Sequence, residues 1–290
     1  MPGGFFVGTS EFRGYLIEFF QNSKDSPMSA DRVPVHGVQP RDGVQPRDGV
    51  QSADGRQHLA GVRLVLFDAV GTLIDPSPSV SEAYCRILMQ HTELPVDASL
   101  VRTVIAEALA DRSSAADMST SEQDESEFWY GLIRRLCRRP EVVDICFHAL
   151  FDHFREPANW HCFPDVRPVL DELHRRSISV AIGSNFDRRL HAVCDGLDSL
   201  APVDLRFISS EIGWRKPAPE FFQAVIETTG IPSAEILMVG DDLTNDVEGA
   251  LAAGCRAAWI NRRGTSRRGH TTDLESSRQH GLTSLLQILE

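Results

Sequence analysis

Val62-Arg63-Leu64-Val65-Leu66-Phe67-Asp68-Ala69-Val70-Gly71-Thr72 reads as an apolar strand that stops on a carboxylate and turns at a glycine. A short β-branched and aliphatic run closed by Gly is the pattern of a buried strand followed by a turn. A lone carboxylate at such a strand end is expensive unless a cation or hydrogen bonds compensate it. Asp68 is therefore a candidate site residue.

Working outward, the pattern from Gly61 onward alternates strands with helices, which predicts a parallel α/β sheet. Strands are expected at 63–67, 178–183, 204–209, 236–239 and 257–260. Between the first two lies a long interval without strand character, with helical periodicity at 80–90, 100–111, 125–138 and 142–155. The expected fold is a Rossmann-like parallel sheet with helices on both faces, residues 61–78 and 160–290, interrupted by an all-helical insertion at 79–159.

Residues 1–60 read differently. Three tandem hexapeptides, starting at Val38, Val44 and Val50, are rich in turn formers and poor in aliphatics, so this segment is expected to be a disordered tail. The stretch from Phe5 to Phe20 has the aromatic content of a short amphipathic helix, and a start at Met28 is an equal alternative.

Composition narrows the function classes. At 290 residues and 42% hydrophobic content the chain can bury a sizeable core. No stretch approaches the ~20 apolar residues of a membrane span, and a cytoplasmic protein without a membrane partner is expected. A net charge of −12 argues against a nucleic-acid partner. The six cysteines include no Cys-x-x-Cys pair, which favours buried thiols over disulfides or a zinc knuckle.

Three further stretches carry chemistry. Ile182-Gly183-Ser184-Asn185 ends a strand with a hydroxyl and an amide, placed where an anion can bind. Arg215-Lys216-Pro217-Ala218-Pro219-Glu220 follows a strand, and its prolines set the approach to a helix N-terminus. Of the 29 Lys and Arg residues only Lys24 and Lys216 are lysine, so a lysine here is not the generic surface cation. A compact ammonium suits a tight pocket of carboxylates and phosphoryl oxygens; a solvated surface lysine is the bland alternative. Met238-Val239-Gly240-Asp241-Asp242-Leu243-Thr244-Asn245-Asp246 ends a strand with Asp241 at its tip and Asp246 at the start of a helix expected at 247–253. Such carboxylates suit a hard cation like Mg²⁺, while Asp242 and Thr244 also read as helix caps. Gly254 fits a helix C-terminal position.

Asp68, Ser184, Lys216 and Asp241, in that order after four strand ends, resemble the four motifs of the haloacid dehalogenase (HAD) superfamily, with the helical cap that some of its families insert between the first and second motifs. Within it, Asp-Ala-Val-Gly-Thr-Leu is similar to a hydrolase group related to a rhythmically expressed gene product. The resemblance implies a phosphatase for a small phosphorylated or otherwise anionic substrate. Asp68 would be the nucleophile, with Ser184, Asn185 and Lys216 at the substrate and Mg²⁺ held by Asp68, the Val70 carbonyl, Asp241 and Asp246.

One position departs from that pattern. The phosphatases of the superfamily carry a second Asp, the general acid/base, where this chain has Val70. Losing a general acid costs roughly 10²–10⁴-fold, most for a poor leaving group. The resemblance thus leaves three outcomes: a phosphatase for good leaving groups or with another proton source, a 2-haloacid dehalogenase-like hydrolase, or a non-catalytic binding protein. Dehalogenases work without Mg²⁺, and Asp241, Asp242 and Asp246 would sit oddly beside their anionic substrate. A phosphonatase needs a cap lysine, and residues 79–159 contain none.

Among other candidates, Cys146, His148, His153, His161 and Cys162 are poorly spaced for zinc. Phe128, Trp129 and Tyr130 are expected in the core, with one ring at a pocket wall, and Arg86, Arg134 and Arg138 are candidate anchors for an anionic substrate. Asp187 and Arg188 read as helix-start residues.

Overall fold

In the first strand the side chains of Leu64 and Leu66 point to one face of the sheet and those of Val65 and Phe67 to the other, and all four are buried. That double burial explains the unbroken apolar run, since a parallel strand covered on both faces has no polar side to show. The structure, a computed structural model, describes residues 58–113, 117–262 and 281–290. Most of the segment expected as a tail, residues 1–57, lies outside them.

The strands β1 (Leu64–Phe67), β4 (Ser179–Ser184), β5 (Leu205–Ile208), β6 (Ile236–Gly240) and β7 (Arg256–Trp259) form a parallel sheet in the order β5-β4-β1-β6-β7. All five expected strands are present, shifted by a residue or two. Strand order reverses at β1, between β4 and β6, so the crevice at the carboxyl ends of these three strands is the binding position of an open α/β sheet. One face packs Val65, Phe67, Ile182 and Val239 against Val169, Leu170 and Leu173 of the helix Val166–Arg175. The other packs Leu66, Ala181 and Met238 against Phe221, Phe222 and Val225 of the helix Pro219–Thr229.

A ribbon that periodicity did not reveal links the sheet to the insertion. β2 (Ile74–Pro76) pairs antiparallel with β3 (Trp160–Cys162), and each strand has only three residues, too short for an alternating pattern to register. Between them run α1 (Val80–Thr92), α2 (Ala98–Ser113), α3 (Glu122–Leu136) and α4 (Val143–Arg155), close to the expected helices. Ser121 caps α3 by accepting from the Asp124 N–H. No helix of the described residues is long and apolar enough to cross a membrane.

The insertion is tied to the sheet side by main-chain contacts. Thr120 N–H donates to Gly213 O at 2.9 Å and Arg215 N–H to Met118 O at 2.9 Å. These contacts hold the residues that lead directly into Lys216.

The helix expected at 247–253 differs in detail. It opens four residues earlier as a six-residue π-type turn, Leu243–Glu248, and continues as α-helix over Gly249–Ala252. Asp242 is its N-cap, with Oδ1 accepting from the N–H groups of Thr244 and Asn245, both at 2.9 Å. Asp246 therefore lies inside the first turns rather than at the start. The wide turn is the reason: it turns the Asp246 carboxylate back toward the strand, where Oδ2 accepts from Asp242 N–H at 3.0 Å. Gly254 follows the helix at φ +79°, as expected of a C-terminal glycine.

Candidate active site

Asp68, Ser184 and Asp241 sit where strands end. Asp68 follows β1, its N–H donating to Val239 O at 2.9 Å, so its height is set by the register with β6. Ser184 ends β4 and is buried, and Asp241 follows β6. Lys216 reaches in from the loop after the short helix Ser209–Ile212.

Lys216 is 2% exposed and its ammonium is fully partnered. Nζ donates to Asp68 Oδ1 at 2.8 Å, to Asp246 Oδ1 at 2.6 Å and to the Gly183 carbonyl at 2.7 Å. Three donors matched to three acceptors leave the buried cation satisfied. Asn185 holds the Lys216 main chain from both sides: its Oδ1 accepts from Lys216 N–H at 2.7 Å and its Nδ2 donates to Lys216 O at 2.8 Å. The Asn185 side chain is thus committed to the Lys216 loop.

The ligand atoms of Asp68, Asp241 and Asp246 lie within 4.8 Å of one another. Two glycines make room for this convergence. Gly71, at φ +89°, has space for no Cβ, which would run into the Asp241 carboxylate, and a Cβ on Gly240 would run into that of Asp246. The Asp241 backbone is fixed by Trp259, whose Nε1 donates to Asp241 O at 3.0 Å.

Burial raises the Asp68 carboxyl above its ordinary range against the pull of Lys216, and does the same to Asp246. Asp241 keeps an exposed side, but the protein packed around it, and then the carboxylates of Asp246 and Asp242, push its carboxyl up to about 6. Burial works against the Lys216 ammonium, yet Asp246 and Asp68 hold its pKa above the ordinary lysine value. Three carboxylates thus crowd a single ammonium. The arrangement can bind a hard cation, and it presents a carboxylate at the mouth of the sheet.

Beside this point opens a cavity of about 340 Å³ between the insertion helices and the strand ends. Its wall includes Val70, Asn185 and Asp242, neighbours of the carboxylates and of Lys216. Trp129 faces it, while Phe128, Trp129 and Tyr130 are all half-buried rather than in the core: the Arg112 guanidinium covers the Phe128 ring and the Tyr130 hydroxyl donates to Asp144 on α4. Arg86, Arg134 and Arg138 do not line it; all three are exposed, and Arg86 donates to His153 Nδ1 at 3.3 Å. The arginines in the wall are instead Arg112, Arg189 and Arg215, which periodicity gave no reason to single out. Asp187 does more than start a helix: buried, it takes a bidentate pair from Arg189 at 2.6 and 2.8 Å. Arg188 instead reaches Glu122 of α3.

The turn after Asp68 has a support that the sequence reading did not find. Arg262 Nη2 donates to Thr72 O at 2.7 Å while its guanidinium pairs with Asp165, at 2.9 and 3.0 Å. The cysteine and histidine candidates form no such cluster; among the described residues the acidic trio is the group whose ligand atoms converge. All six cysteines are free thiols, four of them buried.

Comparison with known proteins identifies the family. A family model described as haloacid dehalogenase-like hydrolase matches residues 62–254. The chain is 29% identical to haloacid dehalogenase-like hydrolase domain-containing protein 3 of Danio rerio, over 78% of this chain and 95% of that protein. It is 37% identical to a phosphatase of Mycobacterium tuberculosis, over 55% of this chain and 72% of that protein. Among solved structures, a HAD phosphatase from Thermococcus onnurineus superposes with a TM-score of 0.54 at 23% identity, covering 78% of this chain and 96% of its own.

Proposed function

The chain belongs to the haloacid dehalogenase-like hydrolase family, and from that premise we propose that it is a Mg²⁺-dependent phosphatase whose nucleophile is Asp68 and whose substrate is a small phosphorylated molecule. The observation that carries this reading is the convergence of Asp68, Asp241 and Asp246, with the Lys216 ammonium bridging the first and the last.

The donor set suits Mg²⁺: carboxylate oxygens only, without thiolate or imidazole, and carrying more negative charge than Lys216 balances. Asp68, the Val70 carbonyl and Asp241 would hold the ion, and Asp246 adds its charge beside them. Both Asp246 oxygens are already engaged, by Lys216 and by the Asp242 N–H, so its main work is anchoring Lys216. The bound ion would supply positive charge against the phosphoryl oxygens and the nucleophile.

In this mechanism an Asp68 oxygen attacks phosphorus and the leaving oxygen departs. Water then hydrolyses the aspartyl-phosphate. Lys216 favours the ionised form of Asp68 against its burial and offers its charge to the phosphoryl group, Ser184 donates its hydroxyl to a phosphoryl oxygen, and Asn185 positions the Lys216 loop. The helices of residues 79–159 act as a cap over the core formed by 61–78 and 160–290.

The test is a screen of the purified protein with phosphate esters, acyl phosphates and 2-haloacids, each with Mg²⁺ and with chelator. Phosphate release that chelator abolishes is the expected result; halide release indifferent to chelator overturns the reading in favour of a dehalogenase. Val70→Asp assayed alongside is expected to raise alkyl-ester rates roughly 10–100-fold and aryl or acyl rates less, since only a poor leaving group needs the restored acid. A folded variant with unchanged leaving-group dependence shows that another group already delivers the proton.

The raised Asp241 carboxyl gives a stability prediction. Without metal, the folded protein still holds a proton there that the unfolded chain has released, so this group's contribution to stability falls as pH climbs from about 4 to about 6. Above that range the carboxylate is free to bind Mg²⁺, and below it proton and metal compete. Mg²⁺ at ten times its Kd is therefore expected to add about 1.4 kcal/mol, roughly 3–5 °C in Tm, at pH 7.5, and little at pH 5. Thermal melts at the two pH values, with Mg²⁺ and with chelator, check it; an equal shift at both excludes Asp241 from the metal site.

A further inference from the structure

The cavity beside Asp68 is walled largely by aromatic and aliphatic side chains. Trp129, Phe147, Phe151, Phe154, Trp160 and Phe186 surround it, with Ile133 and Leu150 between them. Of the three arginines in its wall, two are paired with carboxylates. Glu125 pairs with Arg112, Nη1 to Oε2 at 2.8 Å, and also accepts from Thr120. Asp187 pairs with Arg189, whose guanidinium lies 4.1 Å above the Phe151 ring. Arg215 donates to the carbonyls of Arg112 and Asp117, at 3.2 and 3.3 Å. Asp242 caps the turn that follows it. The cavity offers a planar apolar group extensive contact, and the buried Arg215 Nε has no hydrogen-bond partner.

The same wall has no carboxylic acid free to give a proton, and its one hydroxyl, that of Tyr84, is made a still weaker acid by burial. Val70 stands in it two residues after the nucleophile, and its three carboxylates, Glu125, Asp187 and Asp242, are the ones just described as engaged. A leaving oxygen that enters this cavity meets no free carboxylic acid, and a good leaving group departs as the anion without one. A phenol, with a pKa near 10, can do so; an alcohol, closer to water at about 15.7, cannot do so readily.

Taking the phosphatase reading as its basis, we propose that the substrate is an aryl phosphate monoester whose one- or two-ring aromatic body occupies this cavity. The Asp68 carboxylate forms a P–O bond as the P–O(aryl) bond breaks, and the electron pair leaves on the phenolate, which solvent protonates after release. Water then attacks the phosphorus of the aspartyl-phosphate, the Asp68 O–P bond breaks, and the water proton leaves with inorganic phosphate or passes to solvent.

The experiment compares kcat/KM with Mg²⁺ for 2-naphthyl phosphate, phenyl phosphate, acetyl phosphate and glycerol 2-phosphate on the full chain. Naphthol and phenol leave comparably, so the ratio of their esters reads the cavity and not the chemistry. The expected result is 2-naphthyl phosphate favoured over phenyl phosphate by about tenfold or more, mainly through KM, and glycerol 2-phosphate slower than phenyl phosphate by about 10²–10⁴-fold. Trp129→Leu, at a half-buried position, should raise the KM for 2-naphthyl phosphate more than that for acetyl phosphate. Binding is read separately in Asp68→Asn protein, where 4-nitrophenyl phosphate should quench tryptophan fluorescence, since Trp129 and Trp160 are in the wall. Acetyl phosphate hydrolysis without naphthyl preference or quenching overturns the aryl proposal and leaves the phosphatase reading standing. Glycerol 2-phosphate turned over as well as phenyl phosphate also overturns the proposal alone. No hydrolysis of any of the four, acetyl phosphate included, overturns both.

Discussion

Asp68→Asn is expected to lower phosphate release by at least about 10⁴-fold, because a neutral amide in the same shape cannot form the covalent intermediate. The fold should survive. Lys216 keeps Asp246 and the Gly183 carbonyl as partners, and the variant removes one of three carboxylates crowded around a single ammonium. The Tm is expected to be unchanged or slightly higher, which separates a catalytic loss from unfolding. A folded Asp68→Asn protein with near wild-type turnover ends the proposed mechanism.

Lys216→Met is expected to be the most damaging substitution for stability. Methionine matches the length of the side chain but brings no charge, so Asp68 and Asp246 are left buried without their cation. Removing one partner from a buried ion pair costs about 3–5 kcal/mol, or roughly 10 °C in Tm for a domain of this size. Part of that loss should disappear at low pH, where the two carboxyl groups can take up protons, and part should be restored by Mg²⁺. Melts at pH 7.5 and pH 5, with and without Mg²⁺, measure all three effects. A variant as stable as wild type at pH 7.5 would show that the ion pairs contribute nothing to the fold.

These two residues also show how far a linear reading reaches. Asp68 was legible because its cost is local: a charge at the end of an apolar run needs compensation whatever surrounds it. Lys216 was legible because of the composition of the chain, which otherwise uses arginine almost throughout. Asn185 was legible as a polar residue past a strand end, but not as the clamp on Lys216, since both of its bonds go to a loop 31 residues away. The helix after Asp241 was placed late because a π-type turn has no distinct hydrophobic period, and the ribbon of β2 and β3 was missed because three residues are too few for one.

The sequence by itself determined the five strands of the sheet, the helical insertion between the first two and the order of the four candidate motifs, because each follows from burial and turn chemistry within a few consecutive residues. Only the tertiary structure decided which charges meet. Lys216 and Asp68 are 148 positions apart, and the parallel register of β5, β4 and β1, with Asn185 holding the Lys216 loop, brings them to 2.8 Å. The cavity and the pairing of its arginines belong to the same class. They arise where α1 to α4 pack over the strand ends, and no local pattern records which faces of separate helices will share a wall.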